Sequence, residues 1–577
     1  MAYYIIRSVH MRNFNRLAII FCWLFVANDL AFARKVAPTP IEVITPAVAA
    51  AHPLAARAGY DIMEQGGNAF DAAVAVSAAL AVVEPYASGI GGGGFWLLHR
   101  ARDHFETMVD ARETAPAKVT PAMYLGSDGK PLPSASLEGG LAAAIPGLPA
   151  GLVHMAQRYG KLPLKKSLAP AIRYAREGFR VDERYRQMAE LRLAMLQTSP
   201  ASGEMFLDGG AVPGEKFSLR QPELANTLEA LAKSGSPGFY RGSIAQALVN
   251  GINAAGGVWQ MSDLAAYRVR ERKPVKFTFQ NATITSAALP SSGGLTLAQA
   301  LNILEYTPYK NVDPKVRTQY IVEALRRAYQ DRARYLGDSD FTIPPVEQLL
   351  DKNYAARRAL SIDPNEATPS SSMGDAAIKK TEGTNTTHFS VVDRSGNRVA
   401  GTLSINTPFG SGVLAGKTGV LLNNEMDDFV ISPGVPNAYG LVGSEANAIK
   451  PGKRPLSSMS PTFVEDERGV MILGTPGGSR IISMVLIGIL EYLGQTEPDA
   501  RVIVNAPRFH HQYLPDRIEF EPDGFEPELL AQMSSLGHKV DVAKRRWGNM
   551  QVVIVDKKTR QTQIGNDPRG IGGLAWF

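Results

Sequence analysis

Thr386, Thr387 and His388 follow a polar run, Thr-Glu-Gly-Thr-Asn, at positions 381–385. If the chain is cut between Asn385 and Thr386, one residue carries both a hydroxyl and a free α-amine. An α-amine titrates near about 7.7 to 8.0, so at neutral pH much of it accepts the proton that a hydroxyl must lose to attack a carbonyl. Nucleophile and base would then share Thr386. The same residues also read as two threonines opening a strand, so their company decides.

That company is spread along the chain. Arg112 closes the strand-like segment Met108 to Glu113. Asn423 to Asp428 places three carboxylates, Glu425, Asp427 and Asp428, within four residues, where mutual repulsion favours a cationic partner. Arg454 to Ser460 offers adjacent hydroxyls, Ser457 and Ser458, in an irregular turn. Gly474 to Arg480 precedes an apolar helical run, Ile481 to Leu493, so its backbone N–H groups could face an anion. Each segment alone also reads as a solvated strand end, a turn or a helix start. Together they describe a site for a zwitterion attacked at a carbonyl. His510 and His511 are adjacent and point opposite ways on a strand, which argues against a shared metal.

Behind these residues lie the elements that must hold them. The run through Val391 and Val392 stops at Ser395-Gly396-Asn397 and resumes from Arg398 to Ile405, a hairpin with Thr386 just before its first strand. Upstream, a helix opens at His52-Pro53 and ends at Gly66-Gly67, and an almost uncharged helix runs from Ala69 to Glu84, fit only for burial. Gly89 to Gly94 resembles a phosphate cradle weakly. No Lys-Ser/Thr follows and a strand comes next, so close backbone packing is the better reading. Amphipathic helices are expected near 168–177, 222–233, 243–253, 295–304 and 320–335, with a β-rich interruption at 275–289. The segment 363–385 is aperiodic and rich in Ser, Thr, Gly, Asn and Pro, an exposed linker that is easily cut. Strand-like runs are expected over 387–423 and 461–474, and a last hairpin over 550–556 and 561–565. Between the first two lies 431–452, a Pro- and Gly-rich loop containing Tyr439, of a length that suggests a lid.

The 577 residues exceed one small core, and 45% hydrophobic with 20% charged residues is ordinary for a globular enzyme. Arg7, Arg12 and Arg16, an apolar run from Leu17 to Ala27 and Ala31-Phe32-Ala33 form a secretory signal over 1–33, too short to span a bilayer. Cys22, the only cysteine, lies inside it, so the exported chain has no disulfide or thiol chemistry. Of the +6 formal charge, +2 falls in that signal. The basic cluster Arg326 to Arg334 is interrupted by Asp331 at helical spacing and reads as a solvated face, not a nucleic-acid surface.

On Gly66 to Ala73 (Gly-Gly-Asn-Ala-Phe-Asp-Ala-Ala), Thr386-Thr387-His388, Asn423 to Asp428, Arg454 to Pro461 and Gly474 to Arg480, the chain is similar to γ-glutamyltranspeptidases of the bacterial periplasmic type. The resemblance covers the whole chain after the signal. It implies an α/β N-terminal-nucleophile hydrolase fold, a four-layer αββα sandwich. It implies a precursor that cuts itself into a large subunit, 34–385, and a small one, 386–577, in the periplasm or secreted, without stable membrane insertion. It implies that Thr386 is the nucleophile for both cleavage and catalysis, and that Arg112, with Ser457 and Ser458, grips the substrate α-carboxylate. Asn406, Glu425 and Asp428 would surround the α-ammonium, and the Gly477 and Gly478 N–H groups would form the oxyanion hole. Ser404 stands where a second threonine often assists, and Glu425 where some bacterial members have glutamine. Tyr439 matches a gating tyrosine, and its loop favours small donors. The implied reaction takes the glutamyl group from glutathione and related compounds to water, amino acids or peptides, with no cofactor and no metal. A related acylase of the same fold, acting on a glutaryl β-lactam or poly-γ-glutamate, and an uncut periplasmic zwitterion-binding protein are the alternatives.

Overall fold

The computed structural model describes residues 43–132, 134–373, 385–432 and 434–576. The signal sequence and the middle of the 363–385 segment lie outside the described residues.

Two antiparallel sheets lie face to face at the centre of the unit beginning at Ile44. One has seven strands in the order Gly573–Trp576, Ala47–Ala50, Thr387–Val392, Arg398–Ser404, Gly93–Arg100, Phe105–Ala111 and Arg270–Arg272. The other has six, in the order Thr562–Asn566, Gln551–Asp556, Gly469–Gly474, Thr462–Glu465, Ala282–Ser286 and Val275–Phe279. Ala47, Ala49, Leu97, Val392, Ala400, Phe463, Ile472 and Val553 pack between the sheets. Their neighbours Val48, Ala50, Leu98, Val391 and Val399 point the other way, into helices, as the two-residue period of a strand requires.

Helices Pro53–Glu64, Ala69–Val83, Leu148–Arg158 and Leu164–Glu177 cover the seven-stranded sheet. Gly293–Glu305, Pro314–Tyr335 and Ile481–Gly494 cover the six-stranded one. The layers are therefore αββα, as expected. Every residue of Ala69–Val83 is buried, and its start is fixed by a capping box in which Asn68 and Asp71 satisfy each other's backbone N–H groups. The glycine run does serve close packing: a Cβ on Gly91 would lie 2.0 Å from the Leu421 carbonyl oxygen, and one on Gly92 would lie 2.1 Å from that of Ser404.

Three expectations need correction. The basic cluster of helix Pro314–Tyr335 is not a solvated face, because Arg326 and Arg327 are each 1% exposed and Arg332 is 4%. Arg326 pairs with Glu323 at 3.1 Å and with Asp516, Arg327 pairs with Glu323, and these partners neutralise the charges in place. The junction Asn385-Thr386 is buried, not exposed, since Asn385 donates through Nδ2 to the Tyr86 carbonyl at 2.6 Å. Strand structure stops at Ser404, because Asn406 and Phe409 adopt positive φ (73° and 56°) and turn the chain off the sheet edge.

Candidate active site

Thr386 immediately precedes the central strand Thr387–Val392, and register places its neighbour across the hairpin. Leu403 pairs with Thr387, so Ser404 falls beside Thr386, with the two hydroxyl oxygens 3.4 Å apart. Ser404 Oγ also accepts the Asn406 N–H at 2.8 Å. The Thr386 hydroxyl donates to the carbonyl oxygen of Asn385, the bond on which cleavage would act.

A pocket of about 310 Å³ opens on this hydroxyl, lined by Arg112, Ser404, Asn406, Glu425, Asp428, Tyr439, Ser457, Ser458 and Gly478. The sequence-predicted residues thus converge, though more than 300 positions separate Arg112 from its partners. Arg112 Nη2 lies 2.5 Å from Asp428 Oδ2, and Nη1 lies 2.6 Å from Glu425 Oε2. The second contact is poorly directed, and neither Glu425 oxygen has a formed hydrogen bond. Burial opposes the Arg112 charge, but Glu425, Asp428 and Glu113 outweigh it and raise its pKa. Burial also raises the Glu425 pKa well above the carboxylate range, with Arg112 opposing. A substrate ammonium beside Glu425 would supply a second positive charge and favour the carboxylate.

Asp427 takes a different part. It accepts the Ser136 hydroxyl and the Ala438 N–H, both at 2.8 Å, and so anchors the 431–452 segment. From that segment Tyr439 reaches over the pocket and donates to the Asn406 carbonyl at 2.7 Å. Its ring lies against Gly478, where a Cβ would meet it at 2.2 Å. Gly477 and Gly478 both hold positive φ, and among the described residues neither N–H has an acceptor. Two free donors beside a nucleophile can receive a developing oxyanion.

Two buried groups escaped sequence reasoning. Arg332 lines the pocket and donates to Ser458 Oγ at 3.1 Å and Ser292 Oγ at 2.9 Å. Its signal was present: Ile321, Leu325, Ala328 and Arg332 recur at helical spacing, which puts an arginine on the apolar face. Glu113 is fully buried 3.6 Å from Arg112, and burial raises its pKa to about 7. His510 and His511 are held separately, by Ser483 and Gln512 and by Asp516, and no metal-holding cluster occurs among the described residues.

Residues 55–577 match the model of the gamma-glutamyltranspeptidase family. The chain belongs to that family of enzymes. A glutathione hydrolase proenzyme of Escherichia coli K12 is 41% identical, with 93% of this chain and 92% of that protein covered. One from Pseudomonas sp. strain A14 is 42% identical, with 87% of each covered. Among solved structures, cephalosporin acylase from Bacillus halodurans superposes with a TM-score of 0.79 at 26% identity, covering 94% of this chain and 99% of that one. Helicobacter pylori gamma-glutamyltranspeptidase gives 0.55 at 36% identity, covering 58% and 96%. These likenesses identify the αββα sandwich as the N-terminal-nucleophile hydrolase fold.

Proposed function

We propose that the chain is an exported proenzyme that cuts itself between Asn385 and Thr386, and whose product is a γ-glutamyltransferase and glutathione hydrolase. The signal over 1–33 directs it to the periplasm or outside the cell, and cleavage yields a large subunit, 34–385, and a small subunit, 386–577. In the first event Thr386 Oγ1 attacks the Asn385 carbonyl carbon, and the C–N bond breaks as an ester forms and the Thr386 α-amine is freed. Water then hydrolyses the ester, returning the Thr386 hydroxyl and leaving Asn385 with a carboxylate. In turnover that amine accepts the Oγ1 proton as Oγ1 attacks the γ-carbonyl of glutathione or a related γ-glutamyl amide. The oxyanion lies toward the Gly477 and Gly478 N–H groups, the amine product departs with a proton, and a γ-glutamyl ester remains. Water or an amino acid or peptide then takes the glutamyl group.

The reading rests on one observation above all: the Thr386 hydroxyl meets its own upstream carbonyl and opens on a pocket whose far wall carries Arg112, Glu425 and Asp428. Arg112, with Ser457, Ser458 and Arg332 nearby, suits the α-carboxylate, because a planar guanidinium bonds a carboxylate with two parallel donors. Glu425 and Asp428 suit the α-ammonium. A glutaryl group, which lacks that amine, would leave Glu425 and Asp428 with only the one Arg112 charge that they share. Release rates from a γ-glutamyl anilide and a glutaryl anilide test this. The γ-glutamyl compound should react at least about 10²-fold faster, since a site built for a polar group rejects the analogue lacking it. Equal rates would overturn the assignment.

A further inference from the structure

Thr386 stands between two clefts, and the glutamyl group accounts for only one. The second, of about 470 Å³, lies on the Gly477 side and is lined by Glu84, Arg184, Asn549 and Gly570 among others. Its two cations differ sharply. Arg569 is fully engaged, bonding both oxygens of Glu521, Asp567 and the carbonyls of Val504 and Ala506. Arg184, half-buried in the first turn of helix Glu183–Leu191, makes no side-chain hydrogen bond or ion pair among the described residues. It is the cleft's available cation.

Glu84 is the cleft's buried anion. It is 3% exposed, its Oε1 accepts the Tyr86 hydroxyl at 3.2 Å, and its Oε2 has no hydrogen-bond partner. The Thr387 hydroxyl on the adjoining strand lies close enough to Glu84 to favour its carboxylate, though neither that hydroxyl nor Oε2 makes a well-directed hydrogen bond. Glu84 further caps the C-terminal end of helix Ala69–Val83, where the helix dipole disfavours a negative charge. Burial raises its pKa to about 7. The Thr387 and Tyr86 hydroxyls and the Arg184 charge favour the carboxylate without offsetting its burial, and an ammonium entering the cleft would give the free Oε2 a charged partner.

The geometry points to this cleft as the seat of the amine partner in acyl transfer, with Arg184 selecting amines that carry a carboxylate and Glu84 holding their amino end beside Thr386. The inference rests on the glutamyl-transfer reading above. The acceptor enters as an ammonium and gives one proton to the Glu84 carboxylate. Its neutral nitrogen attacks the ester carbonyl carbon, and the new C–N bond forms as the C–Oγ1 bond breaks. A second nitrogen proton passes through the Thr386 α-amine to Oγ1, restoring the hydroxyl. The third stays on the new amide, and Glu84 returns its proton to solvent. Arg184 touches neither reacting atom, so its part is specificity.

The test uses the self-cleaved protein with a γ-glutamyl anilide as donor and two acceptors of one size, glycylglycine and glycylglycinamide, which differ in the terminal carboxylate. Within each preparation the kcat/KM ratio for the two acceptors is measured, so that partial folding cancels. The wild-type protein should prefer glycylglycine by about tenfold, the scale of one charge-assisted contact. Arg184→Ala should bring the ratio to near one, and Arg184→Glu should invert it. Glu84→Gln should lower the ratio of transfer to hydrolysis by about tenfold, the scale of proton-transfer assistance. A wild-type ratio of one, or a preference retained in Arg184→Ala, would overturn Arg184 as the selector. An unchanged transfer ratio in Glu84→Gln would overturn the role of Glu84. Absence of anilide release from the wild-type protein is a different failure, since it would remove the glutamyl-transfer reading itself and the cleft's role with it.

Discussion

Arg112 and Glu425 meet at 2.6 Å with each side chain 1% exposed. An ion pair so buried is costly to break from one side, because the remaining charge has no water to turn to. Arg112→Ala should therefore lower stability by about 3 to 5 kcal/mol and abolish anilide turnover. Arg112→Lys keeps the charge and loses the fork, so kcat/KM should fall by at least about tenfold with a smaller change in thermal midpoint. Unfolding midpoints and donor kinetics on the same preparations check both. Wild-type kcat/KM in Arg112→Lys would show that bidentate geometry does not matter.

Thr386→Ala should leave a single uncut chain without activity, and Thr386→Ser should still cut, since a hydroxyl is retained. Ser404→Ala removes the hydroxyl 3.4 Å from Thr386 Oγ1 and should slow cleavage and turnover by about tenfold, the scale of one hydrogen bond. Intact mass and N-terminal sequencing, with the small chain beginning Thr-Thr-His-Phe-Ser, decide the outcome. Two normal chains from Thr386→Ala would refute Thr386 as the processing nucleophile.

Gly478 has φ of 58°, and a Cβ there would press into the Tyr439 ring. Gly478→Ala should push the lid tyrosine outward and disturb a candidate oxyanion donor, lowering kcat by about 10² or more. Tyr439→Phe loses only the bond to the Asn406 carbonyl, about 1 kcal/mol, and should act chiefly on KM. Steady-state kinetics separate the two. Equal effects on kcat would show that the lid contact and the glycine backbone are not distinct.

His388 is fully buried between Thr402 and Ser390, and burial lowers its pKa to about 3. Its unfolded value is about 6.5, so below that pH the unfolded chain binds a proton that the folded chain refuses. Stability is thus whole above pH 6.5 and falls by about 1.4 kcal/mol per pH unit on the way down toward pH 3 from this group alone. The unfolding midpoint should drop from pH 7 to pH 5, and His388→Gln should shallow that drop. A pH slope identical in wild type and variant would exclude His388 as a source.

Much of this molecule is local and therefore legible in its residues. The Thr386 hairpin follows from a β-rich pair around Ser395-Gly396-Asn397, and the buried helix Ala69–Val83 from an apolar run with a capping pair at Asn68 and Asp71. Glu425, Asp428, Ser457, Ser458, Gly477 and Gly478 lie in motifs that together resemble one family, and Arg112 was matched only through that resemblance. Periodicity alone would not have united them.

What only the tertiary structure decided is how groups remote in sequence spend their charges. Arg326 and Arg327 share Glu323 within their own helix, but Asp516, Ser361, Thr368 and Ser370, which complete their pairing and bury them, belong to other segments of the chain. Asp427 looked like its two neighbours, yet the chain turns it toward Ser136 and the Ala438 N–H, while Asp428 and Glu425 face Arg112. The junction before Thr386 looked open by composition, but packing against Tyr86 buries it. Residue type and spacing determine which groups are able to react. Burial and partner choice depend on distances between segments hundreds of residues apart, and these exist only once the two sheets close on each other.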